Sequence, residues 1–492
     1  MSLNPLLLND TFYLIIDYIN CYPNTFDRQV TIACLRVTCK LLNDRLIVCN
    51  HKRKNFYKIL TFSTINNHEI FEWFYSPESY SNVWTSYYSC AKADLSALIW
   101  CHENACPLDH RACKYAATNG HLNVLKYLRE NNCPWNKFAC ARAAMNAHLD
   151  ILKYLHENGC PWDEFACHDA SMNGHLDVLE YLHENGCPWN ETTCQSAARG
   201  GHLLVLKYLH ENGCPWHKWA CYYASEFGHL DVLKYLHENG CPWDRSSCEI
   251  ASYNGHLGVL KYLHENGCPW NQTACSSASQ NGHLIVLKYL HVNGCTWDEN
   301  ACHSAASGGH VNVLKYLHEN GCSWNEQTCK SAALSGELNV LKYLYENGCP
   351  WDESACESAV LMGRFDALKY LHENGCPWNE KASQNAASDG HTDIMKYLYE
   401  NGCPWDSSAC ESATLMGHLD ALKYLHENGC PWNEKTYQNA ASNGDIYVIK
   451  YLYENGCPWN QEALKLAALN GHTDVLKYMY LKCRMANLLI KN

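Results

Sequence analysis

The 492-residue chain lacks the features that define most functional classes. It has no basic excess: 38 Lys and Arg stand against 51 Asp and Glu, for a net charge of -13. A nucleic-acid binder would instead carry a basic patch. No segment is long and apolar enough to cross a membrane. The opening MSLNPLLLND lacks the positive n-region of a secretory signal. Neither a Gly-x-Gly-x-x-Gly nor a P-loop is present to cradle a phosphate. The expectation is a chain that takes no nucleic acid, membrane or cofactor and works as a monomer in reducing cytosol or nucleoplasm.

What the chain has is self-similarity. A Gly-His step places His121, His148, His175, His202, His229, His256, His283 and His310 at intervals of 27 residues, and the same count reaches Glu337, Arg364, His391, His418, Asp445 and His472. Counted back once it reaches Asp94, so fifteen repeats follow one another without an insertion or deletion. Stacked repeats need no single closed core. One elongated body is therefore expected, and the 47% hydrophobic content suffices for a continuous core.

Thirty-two cysteines are a by-product of this copying, at about two per repeat. One series runs from Cys106 through Cys133 and Cys160 to Cys457; the other runs from Cys113 to Cys356 and returns at Cys410, but is replaced by Ser383, Tyr437 and Leu464. An obligatory disulfide partner would not be exchanged for Leu. A small buried residue would be.

Within one repeat, Asp163 reads as a helix N-cap, and Asn190, Asp244, Asn271 and Asp298 hold the same place in later copies. Ala166, Cys167, Ala170 and Ser171 then form a narrow stripe of small residues on helix A, which Gly174 ends. Helix B carries Val178, Leu179, Tyr181 and Leu182 at helical spacing and stops at Asn185-Gly186. Pro188 prevents continuation, and Trp189 lays its indole over the seam between repeats. The expected fold is all-α, a stack of helix-turn-helix repeats.

The run Ala197-Ala198-Arg199-Gly200-Gly201-His202, then Val205-Leu206-Lys207-Tyr208-Leu209 and Asn212-Gly213-Cys214, resembles the ankyrin repeat. An ankyrin repeat spans about 33 residues. The residues missing here fall where that family builds its hairpin finger, and the Thr-Pro-Leu-His motif is absent. The resemblance implies an ankyrin-like solenoid with reduced fingers over residues 82–480, similar to the expanded short-repeat ankyrin proteins of giant DNA viruses of amoebae. Residues 55–81, with Ile70-Phe71-Glu72-Trp73-Phe74 in the helix B frame, read as a degenerate cap. Residues 481–492 read as a basic, apolar tail that closes the last core face.

His156, Cys160, Cys167 and His175 are zinc-competent, yet Arg129, Tyr345, Tyr399 and Tyr453 replace the first His in other copies. Structural zinc needs a complete tetrahedral set, and a Cys-His nucleophile needs one pair set apart by its environment. Neither metal nor catalysis is expected. Function should lie in what varies, and the variable positions sit on helix A: Phe138, Arg142 and Met145; Phe165, His168 and Met172; Arg199; Trp219, Tyr222 and Tyr223; Ile250 and Tyr253. Later copies have mainly Ser, Glu, Lys and Gln there, apart from Leu361 and Leu415. Exposed aromatics with Arg have the composition of a protein-binding hot spot. The alternative is that some of them pack on the next repeat.

Residues 1–54 have no repeat frame. Leu6-Leu7-Leu8, Asp10, Ile15-Ile16, Tyr18-Ile19 and Leu35-Arg36-Val37-Thr38-Cys39-Lys40 follow the order of an F-box, without the usual Pro after the first Leu and with a longer connection over Asn20 to Arg28. That resemblance implies that Leu7, Leu8, Ile15, Ile16, Ile19, Leu35 and Val37 dock a Skp-type adaptor of a cullin ubiquitin ligase, with the array choosing a host protein as substrate. A hydrophobic cap on a pure binding or masking scaffold is the alternative.

Overall fold

The computed structural model describes residues 89–103 and 108–489, with side chains through Lys482. The expected N-terminal segment 1–54, with Leu7, Leu8, Ile15, Ile16, Ile19, Leu35 and Val37, and the cap expected at 55–81 lie outside the described residues. The chain divides into two compact units: the first reaches Ala170 and includes His175–Pro188, and the second holds Ser171–Gly174 and the chain from Trp189 onward. Both are built from the same helical hairpin, and no strand occurs among the described residues.

In the first unit, helix A of one repeat spans Lys137–Met145 and helix B spans Leu149–Glu157; in the second, Arg245–Tyr253 and Leu257–Glu265 are the corresponding pair. The caps explain the starts. Asn136 Oδ1 accepts from the Phe138 amide at 3.2 Å, and Asp244 Oδ1 from the Ser246 amide at 3.0 Å, which satisfies donors that have no partner within the helix. Asn190, Asn325 and Asn433 form full capping boxes with Thr193, Thr328 and Thr436. The repeat with His217 at this position has no side-chain cap, and its helix begins later, at Trp219.

The small-residue stripe lets the A helices approach closely. Ala166, Cys167, Ala170 and Ser171 are fully buried in their repeat, as are Ala274, Cys275, Ala278 and Ser279 in theirs. The Ser279 hydroxyl donates to the Cys275 carbonyl at 2.7 Å, so its burial leaves no orphan group. Helix B contributes a Val-Leu-Leu face, such as Val178, Leu179 and Leu182, that is fully buried against helix A. Adjacent A helices pack against one another more than adjacent B helices do. At its end, Asn266 Nδ2 donates to the Tyr262 carbonyl at 2.8 Å and Gly267 takes φ +80°. The Asn-Gly pair is thus a helix stop, as its sequence context implies.

The seam between repeats depends on the other glycine. His256 Nε2 lies 3.0 Å from the Glu226 carbonyl, thirty residues upstream, and His310 Nε2 lies 3.1 Å from that of Gln280. The Gly-His residue therefore does more than order its own turn: it ties helix B of one repeat to the end of helix A of the one before. Its ring passes over the preceding repeat's glycine, where a Cβ on Gly255 would stand 2.6 Å from His283 Nδ1. Arg364 makes the equivalent reach through Nε to the Leu334 carbonyl at 3.3 Å. The last helix, Thr473–Leu489, runs straight through the start expected for the tail, and Leu469 before it is 80% exposed.

Gly255 and Gly267 have the same handedness of backbone, φ +77° and +80°, but only Gly255 faces a ring, while nothing lies within 4 Å of a Cβ on Gly267. Gly267→Ala is expected to cost the left-handed penalty of about 1–2 kcal/mol, and Gly255→Ala more than that because the His283 ring must also move. Thermal unfolding of both variants checks the difference; equal losses would mean that the close approach contributes nothing.

Candidate protein-binding face

The cysteines and histidines are the first candidates for chemistry, and their contacts show how they are used. Cys160 Sγ donates to the Asn136 carbonyl at 3.5 Å and Cys268 Sγ to that of Asp244 at 3.3 Å. Each thiol thereby returns the chain, after helix B, to the cap from which helix A began. The second cysteine lies beside it: Cys275 and Cys295 are 3.5 Å apart, Cys302 and Cys322 3.0 Å. Where Ser383 replaces the inner Cys, its hydroxyl lies 3.3 Å from Cys403 Sγ and donates to the Pro404 carbonyl at 2.9 Å, while Cys403 keeps its bond to the Asn379 carbonyl at the cap. Tyr437 fills the same place with its ring buried. This leaves Cys457 without a thiol partner inside its own hairpin, and burial pushes it up to about 12.

The histidine near the end of helix B serves a different contact. His156 stacks on Trp162 with ring centres 3.9 Å apart, and its Nδ1 lies 3.0 Å from the hydroxyl of Tyr181 on the next helix B. Trp162 in turn meets Tyr181 edge-on at 6.4 Å. The trio recurs as His237, Trp243 and Tyr262, and as His426, Trp432 and Tyr451. The substitutions follow from this geometry: Tyr345 stacks on Trp351 at 4.8 Å, Tyr399 on Trp405 at 4.5 Å, and the Arg129 guanidinium sits 4.2 Å over Trp135. Each supplies a flat group to the indole. His156 and Cys160, four residues apart, thus point to different partners, and among the described residues no three His, Cys, Asp or Glu side chains converge as metal ligands.

The variable positions divide between exposed and half-buried. In the first compact unit Phe138 and Phe165 are exposed, the latter by 47%, with Lys137 Nζ 5.9 Å and 5.5 Å from their ring centres. Lys137 also pairs with Asp163 at 2.6 Å, and that carboxylate raises the pKa of the lysine. Arg142, Met145 and His168 are half-buried. Arg142 reaches Asp169 at 3.4 Å and the Met145 sulfur at 2.8 Å, while His168 Nδ1 lies 3.1 Å from Asp169. Arg142 and His168 are fixed on their own surface by the shared Asp169 carboxylate, and Met145 is held through Arg142.

The second unit carries the larger cluster. Trp219 is 42% exposed and meets Tyr222 at 5.0 Å and Tyr223 at 6.3 Å, with the two tyrosines 5.5 Å apart. The exposed Arg199 places its guanidinium 5.8 Å over Tyr223 and 5.3 Å over Phe227. Burial pushes the Tyr222 phenol up, with the Glu226 carboxylate adding to it. Lys218 pairs with Asp244 at 2.7 Å and its donated hydrogen bond lowers that carboxyl. Tyr253 is 40% exposed, whereas Met172, Tyr222, Tyr223 and Ile250 are half-buried.

Three features escape a reading confined to the four variable positions of helix A. Phe227 lies one residue past them, yet is exposed and joins the Arg199 cluster. Met362 and Met416 follow Leu361 and Leu415 onto the surface for the same reason. Helix B is less uniform than expected: Leu204 and Ile285, each second after the Gly-His step, are 70% exposed, and Tyr447 is exposed at the same position. An apolar residue at a place that otherwise holds Asp, Asn, Gly or, in the first repeat, Ser was the available signal.

The two classes of tryptophan separate structure from surface. Trp243→Ala removes an indole held by two aromatic neighbours and is expected to cost about 2 kcal/mol. Trp219→Ala is expected to cost less than about 1 kcal/mol, as exposed substitutions do. Comparing the two unfolding midpoints checks this, and a greater loss at Trp219 would make the aromatic cluster part of the core.

The sequence matches the family model for ankyrin repeats (3 copies) over residues 110–193, 167–247, 248–328, 275–355 and 356–436. No curated protein matches it. Ankyrin repeats are scaffolds for protein–protein interaction, and their helical hairpins are the ones described above. With more than half of its length covered by that model, the chain belongs to the ankyrin-repeat family.

Proposed function

We propose that the array recognises a partner protein through the exposed face of its A helices, with Trp219, Tyr222, Tyr223, Arg199 and Tyr253 as anchors in one compact unit. Met172 and Ile250 flank them, and Phe138, Arg142, Met145, Phe165 and His168 supply contacts in the other unit. The observation that carries this reading is the Trp219–Tyr222–Tyr223 cluster with Arg199 over Tyr223. Trp, Tyr and Arg dominate binding energies because they exclude much water while losing little freedom. A fold formed by the stripes and columns alone would not need Trp on a solvent-facing helix.

The order of apolar and polar residues in 1–54 supports a second element. There Leu7, Leu8, Ile15, Ile16, Ile19, Leu35 and Val37 dock a Skp-type adaptor, so that the bound partner, a host protein, is delivered to a cullin ubiquitin ligase. The short repeats' likeness to ankyrin proteins of giant DNA viruses is what suggests a host partner, met in the cytoplasm. Without adaptor binding, the same face describes a scaffold that masks or tethers its partner.

Two measurements separate these readings. For a partner identified by cross-linking to the intact chain, Trp219→Ala and Arg199→Ala should each weaken binding about thirtyfold, the loss of about 2 kcal/mol typical of a hot spot. An unchanged affinity for both variants removes this face from the interface. Purified adaptor should bind the full chain and not residues 55–492; no binding to either leaves the scaffold reading alone.

A further inference from the structure

The thiol pairs have a geometry that their packing role does not require. In three hairpins the inner cysteine directs its S–H at the outer one: Cys302 to Cys322 at 3.0 Å, Cys275 to Cys295 at 3.5 Å and Cys113 to Cys133 at 3.7 Å. The same twenty-residue spacing joins Cys140 to Cys160, Cys248 to Cys268 and Cys356 to Cys376, each pair interacting through its side chains. One member always sits on helix A and the other just beyond helix B. Each pair therefore lies inside one hairpin and joins no two repeats.

We propose that these facing pairs, Cys302–Cys322 foremost, are modification sites for low-molecular-weight disulfides of the glutathione disulfide class, which convert each pair to a disulfide within its own repeat. A disulfide holds its sulfurs about 2.05 Å apart, so the closest pair needs to approach by only about 1 Å. The two sulfurs differ in reactivity. Cys322 is 4% exposed and Cys302 not at all. The S–H donated by Cys302 lowers the Cys322 thiol, while the same bond and burial raise Cys302. Cys322 is therefore the attacking sulfur, since the thiolate is the nucleophile.

The exchange balances. Cys322 gives its proton to solvent and its thiolate attacks one sulfur of the oxidant, whose S–S bond breaks and releases one thiolate that takes up a proton. Cys302 then loses its proton and attacks Cys322 Sγ, expelling the second thiol. Two protein S–H bonds and one small-molecule S–S bond become one protein S–S bond and two small-molecule thiols. The burial of both thiols makes local opening of the hairpin the gate for the first step. The bridge constrains the unfolded chain and so stiffens the repeat that carries it.

Nature has supplied controls within the chain. Cys403 faces Ser383, and Cys457 stands where Tyr437 has replaced its partner. The test incubates the reduced full chain with glutathione disulfide, alkylates it, and maps unreduced peptides after digestion with trypsin and a Glu-specific protease. The expected result is a Cys302–Cys322 cross-link lighter by two hydrogens, with Cys403 and Cys457 unbridged and the unfolding temperature raised. Cys302→Ser, which copies the arrangement at Ser383, should keep its circular dichroism and lose that cross-link, with Cys322 carrying glutathione instead. Cysteines that stay reduced until the chain is denatured, or cross-links that join different repeats as often as partners, would overturn the proposal.

Discussion

The stack depends on the close approach of one ring to a left-handed turn of the preceding repeat. At the end of most A helices a glycine adopts a left-handed backbone and presents no Cβ, and into that space the histidine ring of the following repeat is usually laid, with Glu337 and Arg364 taking its place after Gly309 and Gly336. The ring's far nitrogen then reaches a carbonyl of the preceding repeat. The hydrogen bond satisfies a helix-end acceptor that would otherwise lack a partner, and the close approach fixes the spacing between hairpins. The two parts act together: a Cβ on Gly255 would stand 2.6 Å from the His283 ring, which would have to shift to admit it, and without the ring the carbonyl would need another donor. Ala147, which stands in the glycine's place with φ +57°, shows that the backbone will accept strain to preserve the turn.

With that spacing set, the remaining columns follow. Thiols fill the narrow gap behind helix A because Sγ is small, apolar and able to donate weakly to the cap carbonyl. The His–Trp–Tyr trios lie just beyond the thiols along the chain, where a Trp such as Trp162 spans two successive B helices. Because these groups recur in order to hold repeats together, their abundance alone does not signal chemistry; for the thiols, chemistry lies in how closely the members of a pair face each other. A surface function has to use positions the stack leaves free, and those are the outward positions of helix A and the first turn of helix B.

Much of this was legible in the sequence because each element has a local cause. The Asp or Asn caps, the Gly stops and the Ala-Cys stripe appear where the 27-residue frame puts them. Replacement of the inner Cys by Ser383 and Tyr437 identified it as a packing residue, and both substitutes are buried in that slot. The reach of the Gly-His ring to a residue thirty positions upstream was not legible, because periodicity shows that a residue recurs and not which neighbour it touches. The same limit applied to the variable face. Helical spacing placed Phe165 and Tyr223 on one side alike, but only the neighbouring chain decides that Phe165 is exposed and Tyr223 is half-buried beneath Arg199.

The central claim is that the 27-residue hairpin is an interchangeable building block and that recognition resides in what particular copies expose. Excising one whole repeat tests this directly, since removal of residues 202–228 joins Gly201 to His229 and removal of 391–417 joins Gly390 to His418. Both shortened chains should fold with the helicity of the parent per residue, and only the first, which loses Trp219, Tyr222 and Tyr223, should lose the partner bound by the intact chain. If either deletion unfolds the array, or if both bind the partner as the parent does, the separation of scaffold from recognition surface is contradicted.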